Sequence, residues 1–242
     1  MELRNKVALV TGAAGGIGGA IVASLTAAGA HVLAFDRDAA AIGRLGGECE
    51  PFIADLADPA SLTTTVQEAL ARHGRIDILV NNAGVLSPNK LAATTLEEWR
   101  RLMAVNIEAA FLFTQAVTPA MTANRWGRII NIGSYAWKSG GLTAGTAYAV
   151  SKAALVGLTF SSARELAPAG VTANAIAPAF VVSPMIMEQL SEEDRNRQLA
   201  AIPVGRLCEP EEVAHAVRFL ASPLSGFMTG VVIDMNGGLQ FG

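Results

Sequence analysis

The 242-residue chain has only two cysteines, Cys49 and Cys208. They are too few for a disulfide framework and suit a reducing, cytoplasmic compartment. Neither has a neighbouring ligand residue that suggests a metal site, so no metal is expected. Charge is sparse, at 16% of residues, with 18 Lys+Arg against 21 Asp+Glu and a net charge of −3. Without a cationic excess there is no electrostatic footprint for a phosphate backbone, and nucleic acid is not an expected partner. Uninterrupted apolar runs are missing as well. The stretch Leu102 to Met121 contains Asn106, Glu108 and Gln115, which a buried amphipathic helix accommodates better than a bilayer does, so no membrane span is expected. The polar residues Met1 to Lys6 lead directly into Val7-Ala8-Leu9-Val10, leaving no apolar region for a signal peptide. No Pro/Ser-rich linker, charge block or internal repeat divides the sequence, which reads as a single domain over residues 1–242. Hydrophobic residues are plentiful at 51%, enough for a well-filled core.

Those residues fall into short runs, Val7–Val10, His31–Phe35, Pro51–Ala54, Ile76–Val80, Arg128–Ile132, Val171–Ile176 and Val231–Asp234. Most are apolar throughout, as strands buried on both faces should be. Helices are expected between them near Gly16–Ala28, Pro59–His73, Leu96–Thr122, Tyr148–Leu166 and Pro210–Leu220. This alternation predicts an α/β fold of three layers, a doubly wound parallel sheet of seven strands with helices on both sides. Ligands of such sheets sit at the carboxyl ends of the strands, which makes the residues just after each strand the functional candidates.

The first such turn reads Thr11-Gly12-Ala13-Ala14-Gly15-Gly16-Ile17-Gly18. Glycines between a strand and a helix let the backbone approach a pyrophosphate, whose charge meets the free N–H groups and positive end of the helix. A merely tight turn is the plainer alternative, and the spacing Gly-x3-Gly-x-Gly differs from the Gly-x-Gly-x-x-Gly of other dinucleotide folds. Position favours the cofactor reading, because the second strand ends in Asp36, 18 residues beyond Gly18. A carboxylate there accepts hydrogen bonds from adenosine ribose hydroxyls and repels a 2′-phosphate, which favours NAD over NADP. Arg37 is a complication, since its guanidinium could pair with that phosphate. Alternatively Asp36 caps the next helix. Asp55, after the third strand, could accept from the adenine amino group or simply shape a turn.

Taken with Asn81-Asn82-Ala83-Gly84, Ser134, Tyr148-x-x-x-Lys152 and the closing Gly230…Asp234-Met235-Asn236-Gly237-Gly238, the sequence resembles the short-chain dehydrogenase/reductase family along essentially its whole length. The resemblance implies a Rossmann fold and a nicotinamide cofactor. It places Gly12, Ala14, Gly16, Ile17, Gly18, Leu56, Asn82, Ala83 and Gly84 beside that cofactor. It further implies that Pro178, Val181 and Ser183 meet the nicotinamide carboxamide, with Ala179 and Ser183 standing where the family usually has glycine and threonine. Asn106 resembles the family asparagine that holds a water linking the lysine to solvent, although a buried polar contact between helices would also explain it. A homotetramer is implied through the helices near Leu96–Thr122 and Tyr148–Leu166.

Tyr148 and Lys152, at i and i+4, project from one helix face and can reach one site. An ammonium about 4 Å from a phenol contributes roughly 4 kcal/mol at an effective dielectric of about 20, enough to lower the phenol pKa by about 3 units. Oxidised nicotinamide adds positive charge. Ser134, after the fifth strand, can hydrogen-bond the reacting oxygen. Ser139 is a rival donor in the Trp137–Gly145 loop, which carries an insertion relative to the family. Tyr135 is a rival phenol without a lysine four residues on. Trp137, Phe180, Met185 and Met187 could form an apolar substrate wall or fill core, and residues 182–204 read as a substrate lid.

These residues predict hydride transfer between a nicotinamide and a secondary alcohol or ketone, with Tyr148 as general acid/base. The favoured substrate is a sugar, polyol or other small hydroxy compound, with NAD. A 3-oxoacyl-carrier-protein reductase using NADPH is the alternative. Arg125 and Arg128 could meet an acidic carrier, but Ala169 stands where acyl reductases often have a basic residue. A dinucleotide-binding regulator without catalysis is the alternative of another class, which the intact Ser134, Tyr148, Lys152 and Asn106 set disfavours.

Overall fold

The computed structural model describes residues 2–45, 49–182 and 192–241. Its seven strands form one parallel sheet in the order β3-β2-β1-β4-β5-β6-β7. They are β1 (Val7–Thr11), β2 (His31–Asp36), β3 (Cys49–Ile53), β4 (Ile78–Asn81), β5 (Gly127–Ile132), β6 (Val171–Pro178) and β7 (Val232–Met235). The chain winds outward from β1 to β3, then returns to add β4 on the other side of β1. A crevice opens at the carboxyl ends of β1 and β4, where the winding reverses.

Helices α1 (Gly16–Ala27), α2 (Ala39–Gly43), α3 (Pro59–His73), α4 (Leu96–Met103), α5 (Ala109–Ala123), α6 (Ala136–Ser139), α7 (Thr146–Leu166), α8 (Glu192–Ala201) and α9 (Pro210–Ala221) complete the described fold. One sheet face, through Ala8, Val10, Val32 and Val80, packs against Ile21 and Leu25 of α1 and Val213 and Val217 of α9. The other, through Leu9, Leu33, Leu79 and Ile129, packs against Leu62 of α3 and Phe113 and Val117 of α5. Covering both faces explains why most strand positions are apolar instead of alternating. The expected run from Ile76 is trimmed, because Asp77 spends its carboxylate on the Val7 N–H before β4 begins.

The helix expected over Leu96–Thr122 contains a π-helical turn, Ala104–Glu108, between α4 and α5. The whole stretch, Leu96–Ala123, is long and apolar enough to cross a membrane by length and composition, with a mean hydropathy of 1.2 in its most apolar window. Here α4 packs against α7, while α5 packs against α3, β4 and β5. The short α2 and α6 lack enough length for a periodic signal. The charged α8 lacks an apolar stripe and was read as lid; it occupies part of residues 182–204, and residues 183–191 lie outside the described set.

A polar chain crosses this apolar interior. Asn81 Nδ2 donates to Asn131 Oδ1 at 2.8 Å, and Asn131 Nδ2 donates to Thr159 Oγ1 at 2.8 Å, joining β4, β5 and α7. Both asparagines are buried, so deleting one carboxamide strands its partners in a low-dielectric interior. Asn131→Ala is expected to lower the unfolding free energy by about 2–3 kcal/mol, read as a shifted urea midpoint at unchanged slope.

Candidate active site

The glycine turn is locked to the end of β4 by a small set of hydrogen bonds. Thr11 Oγ1 accepts from the N–H groups of Asn82 and Ala83 at 3.0 Å each, and Asn82 Nδ2 donates to the carbonyls of Thr11 and Gly12. Gly12 has φ +63°, and a Cβ there would lie 2.8 Å from Ala83 Cα. A Cβ on Gly18 would fall 2.0 Å from the Gly12 carbonyl oxygen, so the first turn of α1 can fold over the loop only without a side chain. Gly16 points the other way, with no described atom within 4 Å of its Cβ position. This leaves open space at the N-terminal end of α1, where free N–H groups and the helix dipole favour an anion. The cradle therefore fits a dinucleotide pyrophosphate.

A groove continues on both sides of this cradle. Gly12, Asp36, Arg37, Asp55, Leu56 and Ala83 line one end, and Gly84 and Val85 line both this end and the next. Asp36 does not cap α2; Asp38 does, accepting from the Ala41 N–H at 2.9 Å. Asp36 instead accepts from the Ala14 N–H at 3.0 Å and the Asp38 N–H at 3.1 Å, one bond to each oxygen. Each oxygen retains a lone pair to face the groove. Asp55 accepts from the Ala57 N–H at 3.0 Å, so it shapes the turn after β3 while lining the groove.

The other end brings together Ile17, Asn82, Ile132, Ser134, Tyr148, Lys152, Pro178, Phe180 and Val181. Lys152 is 3% exposed, and its Nζ donates to the Ile132 carbonyl at 2.8 Å. Burial lowers its pKa to about 8. Tyr148 moves in the opposite direction to the sequence expectation: burial pushes its phenol above 10, and the hydrogen bond with Ser134 opposes this only in part. The amine lies 5.8 Å from the phenol ring centroid and is itself desolvated, so it does not overcome that burial. Ser134 Oγ also accepts from the Ala136 N–H at 3.1 Å.

Asn106, in the π-helical turn, is committed to structure. Its carboxamide accepts from Val85 N–H at 2.8 Å, donates to the Val85 carbonyl at 2.9 Å, and donates to Ser151 Oγ at 2.9 Å. A Cβ at Gly84 would stand 3.2 Å from Lys152 Nζ and 3.4 Å from Asn106 Oδ1, so asparagine and amine flank that glycine.

The wall around the phenol is largely apolar, formed by Leu86, Leu142, Ala144 and Phe180, with Ser139 and Thr143 as polar exceptions. Ser139 Oγ is buried without a hydrogen-bond partner among the described residues. Trp137, expected in this wall, is not one of its lining residues; its ring lies by Lys138, at 5.6 Å from that Nζ. Tyr135 does line the pocket, and its N–H is tied to the Pro178 carbonyl. Ser183, Met185 and Met187 lie outside the described residues. Sequence reasoning missed Lys90, whose Nζ donates to the carbonyls of Leu142 and Ala144 at 3.2 and 2.7 Å and also to that of Gly141. Three N–H groups on three carbonyls saturate the ammonium and pin the loop before α7. No spacing rule links residues some fifty positions apart.

Comparison with known proteins agrees with this geometry. Residues 12–240 match the family model described as enoyl-(acyl carrier protein) reductase. The 3-oxoacyl-[acyl-carrier-protein] reductase FabG of Escherichia coli is 41% identical over 99% of both chains, and that of Thermotoga maritima is 39% identical over 99% of both. Among solved structures, one assigned as an NAD(P)-dependent gluconate 5-dehydrogenase from Beutenbergia cavernae, with NADP at low occupancy, superposes with a TM-score of 0.91. It is 38% identical over 98% of each chain. A double mutant of a Serratia marcescens short-chain dehydrogenase/reductase gives 0.91 at 35% identity over 99% of each. With its glycine cradle, tyrosine and lysine set in the same fold and matched end to end by these relatives, the chain belongs to the short-chain dehydrogenase/reductase family of oxidoreductases.

Proposed function

We propose that the protein reduces the ketone of a 3-oxoacyl thioester, using NADH. The observation that carries the substrate class is the wall of Leu86, Leu142, Ala144 and Phe180 around the Tyr148 phenol. A polyol needs several matched donors and acceptors, and each hydroxyl buried without one is costly. An acyl chain gains from the same surface. The full-length similarity to 3-oxoacyl reductases supports this over the sugar or polyol substrate favoured by sequence reasoning. The B. cavernae relative keeps the sugar-acid reading as the competitor to test.

Cofactor choice rests on Asp36. Its carboxylate lines the adenosine end of the groove, held by the Ala14 and Asp38 N–H groups, and disfavours a 2′-phosphate by charge. Gly12, Gly16, Ile17, Ala83 and Gly84 would flank the dinucleotide, with Pro178 and Val181 at its nicotinamide. When bound, the nicotinamide supplies the hydride.

This chain's residues supply position and proton. Held above 10, Tyr148 is the neutral phenol at pH 7, the form that donates a proton to a ketone oxygen. Ser134 hydrogen-bonds the same oxygen as its negative charge grows. Lys152 then faces the phenolate left behind and restores its proton, a role suited to an amine titrating near 8. Asn106 fixes Val85 and hence Gly84 beneath that amine. Of the two arginines considered for an acidic carrier, Arg128 is excluded. It is buried and donates to the carbonyls of Gly127, Ser222 and Pro223. Arg125 is exposed, but just before β5, at the opposite end of the sheet from Tyr148. Exposed Phe111 on α5 and Val150 and Phe160 on α7 support assembly through those helices.

Steady-state reduction of acetoacetyl-coenzyme A is expected to exceed that of 5-ketogluconate by at least about tenfold in kcat/KM, the scale of one well-matched apolar contact. The reverse ranking sinks the acyl assignment. Tyr148→Phe should lower kcat by orders of magnitude with NADH affinity retained, and a fully active variant removes the tyrosine from the chemistry. Asp36→Ala should raise the NADPH/NADH ratio of kcat/KM about tenfold or more, corresponding to about 1.4 kcal/mol or more; an unchanged ratio counts against Asp36. For Lys152, the folded pKa lies about 2.5 units below the usual 10.5. Between pH 8 and 10.5 the unfolded chain therefore binds more protons, and stability rises with pH. Relative to Lys152→Met, the wild type should gain up to about 3 kcal/mol across that window, measured by denaturant titration at pH 7 and pH 10. Parallel pH profiles would refute the buried-amine assignment.

A further inference from the structure

At the end of the sheet opposite the groove, His31 opens β2, Glu50 lies in the edge strand β3, and His73 ends α3. Their side chains converge. His31 Nε2 lies 3.1 Å and His73 Nε2 3.0 Å from the same carboxylate oxygen, Glu50 Oε2, and the ligand atoms all lie within 4.8 Å of one another. The imidazole centroids are 5.0 Å apart. A tetrahedral zinc ion with bonds of about 2.0–2.1 Å requires ligand atoms about 3.3 Å apart. Both histidine–Glu50 separations lie close to that spacing, and only the gap between the two imidazole nitrogens would have to close.

Two further observations point to an ion instead of a plain histidine–carboxylate pair. His73 Nε2 is shielded from solvent yet has no hydrogen-bond partner among the described residues. Its approach to Glu50 is close in distance but outside hydrogen-bonding geometry, which leaves a buried ring nitrogen unsatisfied. Glu50 Oε1, by contrast, is held by Arg72 Nη1 at 3.1 Å. That contact orients the carboxylate and directs Oε2 towards the imidazoles, the service an outer-shell partner gives a metal ligand. Because the His31 side chain is half exposed, a water can reach the fourth position.

We propose that His31, Glu50 and His73 form a zinc site of two imidazoles and one carboxylate, joining β2, the edge strand β3 and the end of α3. Its neutral-plus-anionic donor set is of the type that binds borderline-soft divalent ions and discriminates against magnesium. Arg72, by fixing Glu50 Oε1, supports the site from its outer shell, so its removal should weaken binding. The site is structural, since β2 separates it from Asp36 by five residues, about 16 Å of strand.

The test uses the full-length protein freed of any affinity tag, titrated with zinc chloride against a chromophoric chelator, with magnesium chloride in parallel. One equivalent of zinc per chain is expected, together with a rise in Tm of about 5–10 °C at a hundredfold excess over Kd and no response to magnesium. Both zinc effects should disappear in His73→Gln and in His31→Gln, the latter at a half-exposed position that the fold tolerates. Arg72→Gln should raise Kd about tenfold or more. Absence of stoichiometric zinc binding to the wild type overturns the proposal, as does binding that survives unchanged in both histidine variants, which would place the ion elsewhere.

Discussion

Burying an amine beneath the end of a parallel sheet is the constraint around which the catalytic end is built. An ammonium removed from water must find acceptors or lose its proton, and Lys152 does part of each. It donates to the Ile132 carbonyl at the end of β5, and burial brings its pKa to about 8. The residues around it follow from that placement. The tetrapeptide after β4 ends in Gly84, because any side chain there would press on the amine and on Asn106. Asn106 reaches that spot from a helix by way of a π-helical turn, a distortion often found at functional positions, and grips both backbone groups of Val85. Helix, loop and amine thus form one connected arrangement.

Much of the fold was legible because a doubly wound sheet has a strong signature. Runs such as Val7–Val10 are apolar on both faces, and the helices between the strands are long enough to show their period. The Tyr148-x-x-x-Lys152 pair was legible because i and i+4 share a helix face whatever the surroundings. Its electrostatics were not. Coulomb attraction across about 4 Å predicts a lowered phenol pKa, but burial acts on both groups at once, raising the phenol while weakening the charge that would lower it. Sequence spacing carries no information about desolvation.

Other features the sequence leaves open have the same origin, contacts between segments remote in sequence. By composition Trp137 can serve as substrate wall or as core fill, and the pocket is lined instead by Leu142 and Ala144 from the same loop. What sets that loop is Lys90, reaching from the segment after β4 to its carbonyls. Gly145 belongs to the same contact: a Cβ there would lie 2.3 Å from the Asn89 carbonyl oxygen. The loop that carries the insertion is thus a fitted surface. Arg128 is a comparable case, a cation that could meet an acidic carrier by its charge and is instead buried over Trp126.

The sheet also separates the determinants of specificity. Strand β2 delivers Asp36 to the adenosine end of the groove, whereas the loops after β5 and β6 deliver Ser139 and Phe180 to the substrate end. The two sets share Gly84 and Val85 at the join but no charged side chain. A substitution at Asp36 therefore acts on its own end of the groove without altering the apolar wall, and changes in that wall leave the Asp36 end intact. Residues this far apart, without a common partner, contribute nearly additively. The residues that face the two ends of the groove are then independent variables of one scaffold.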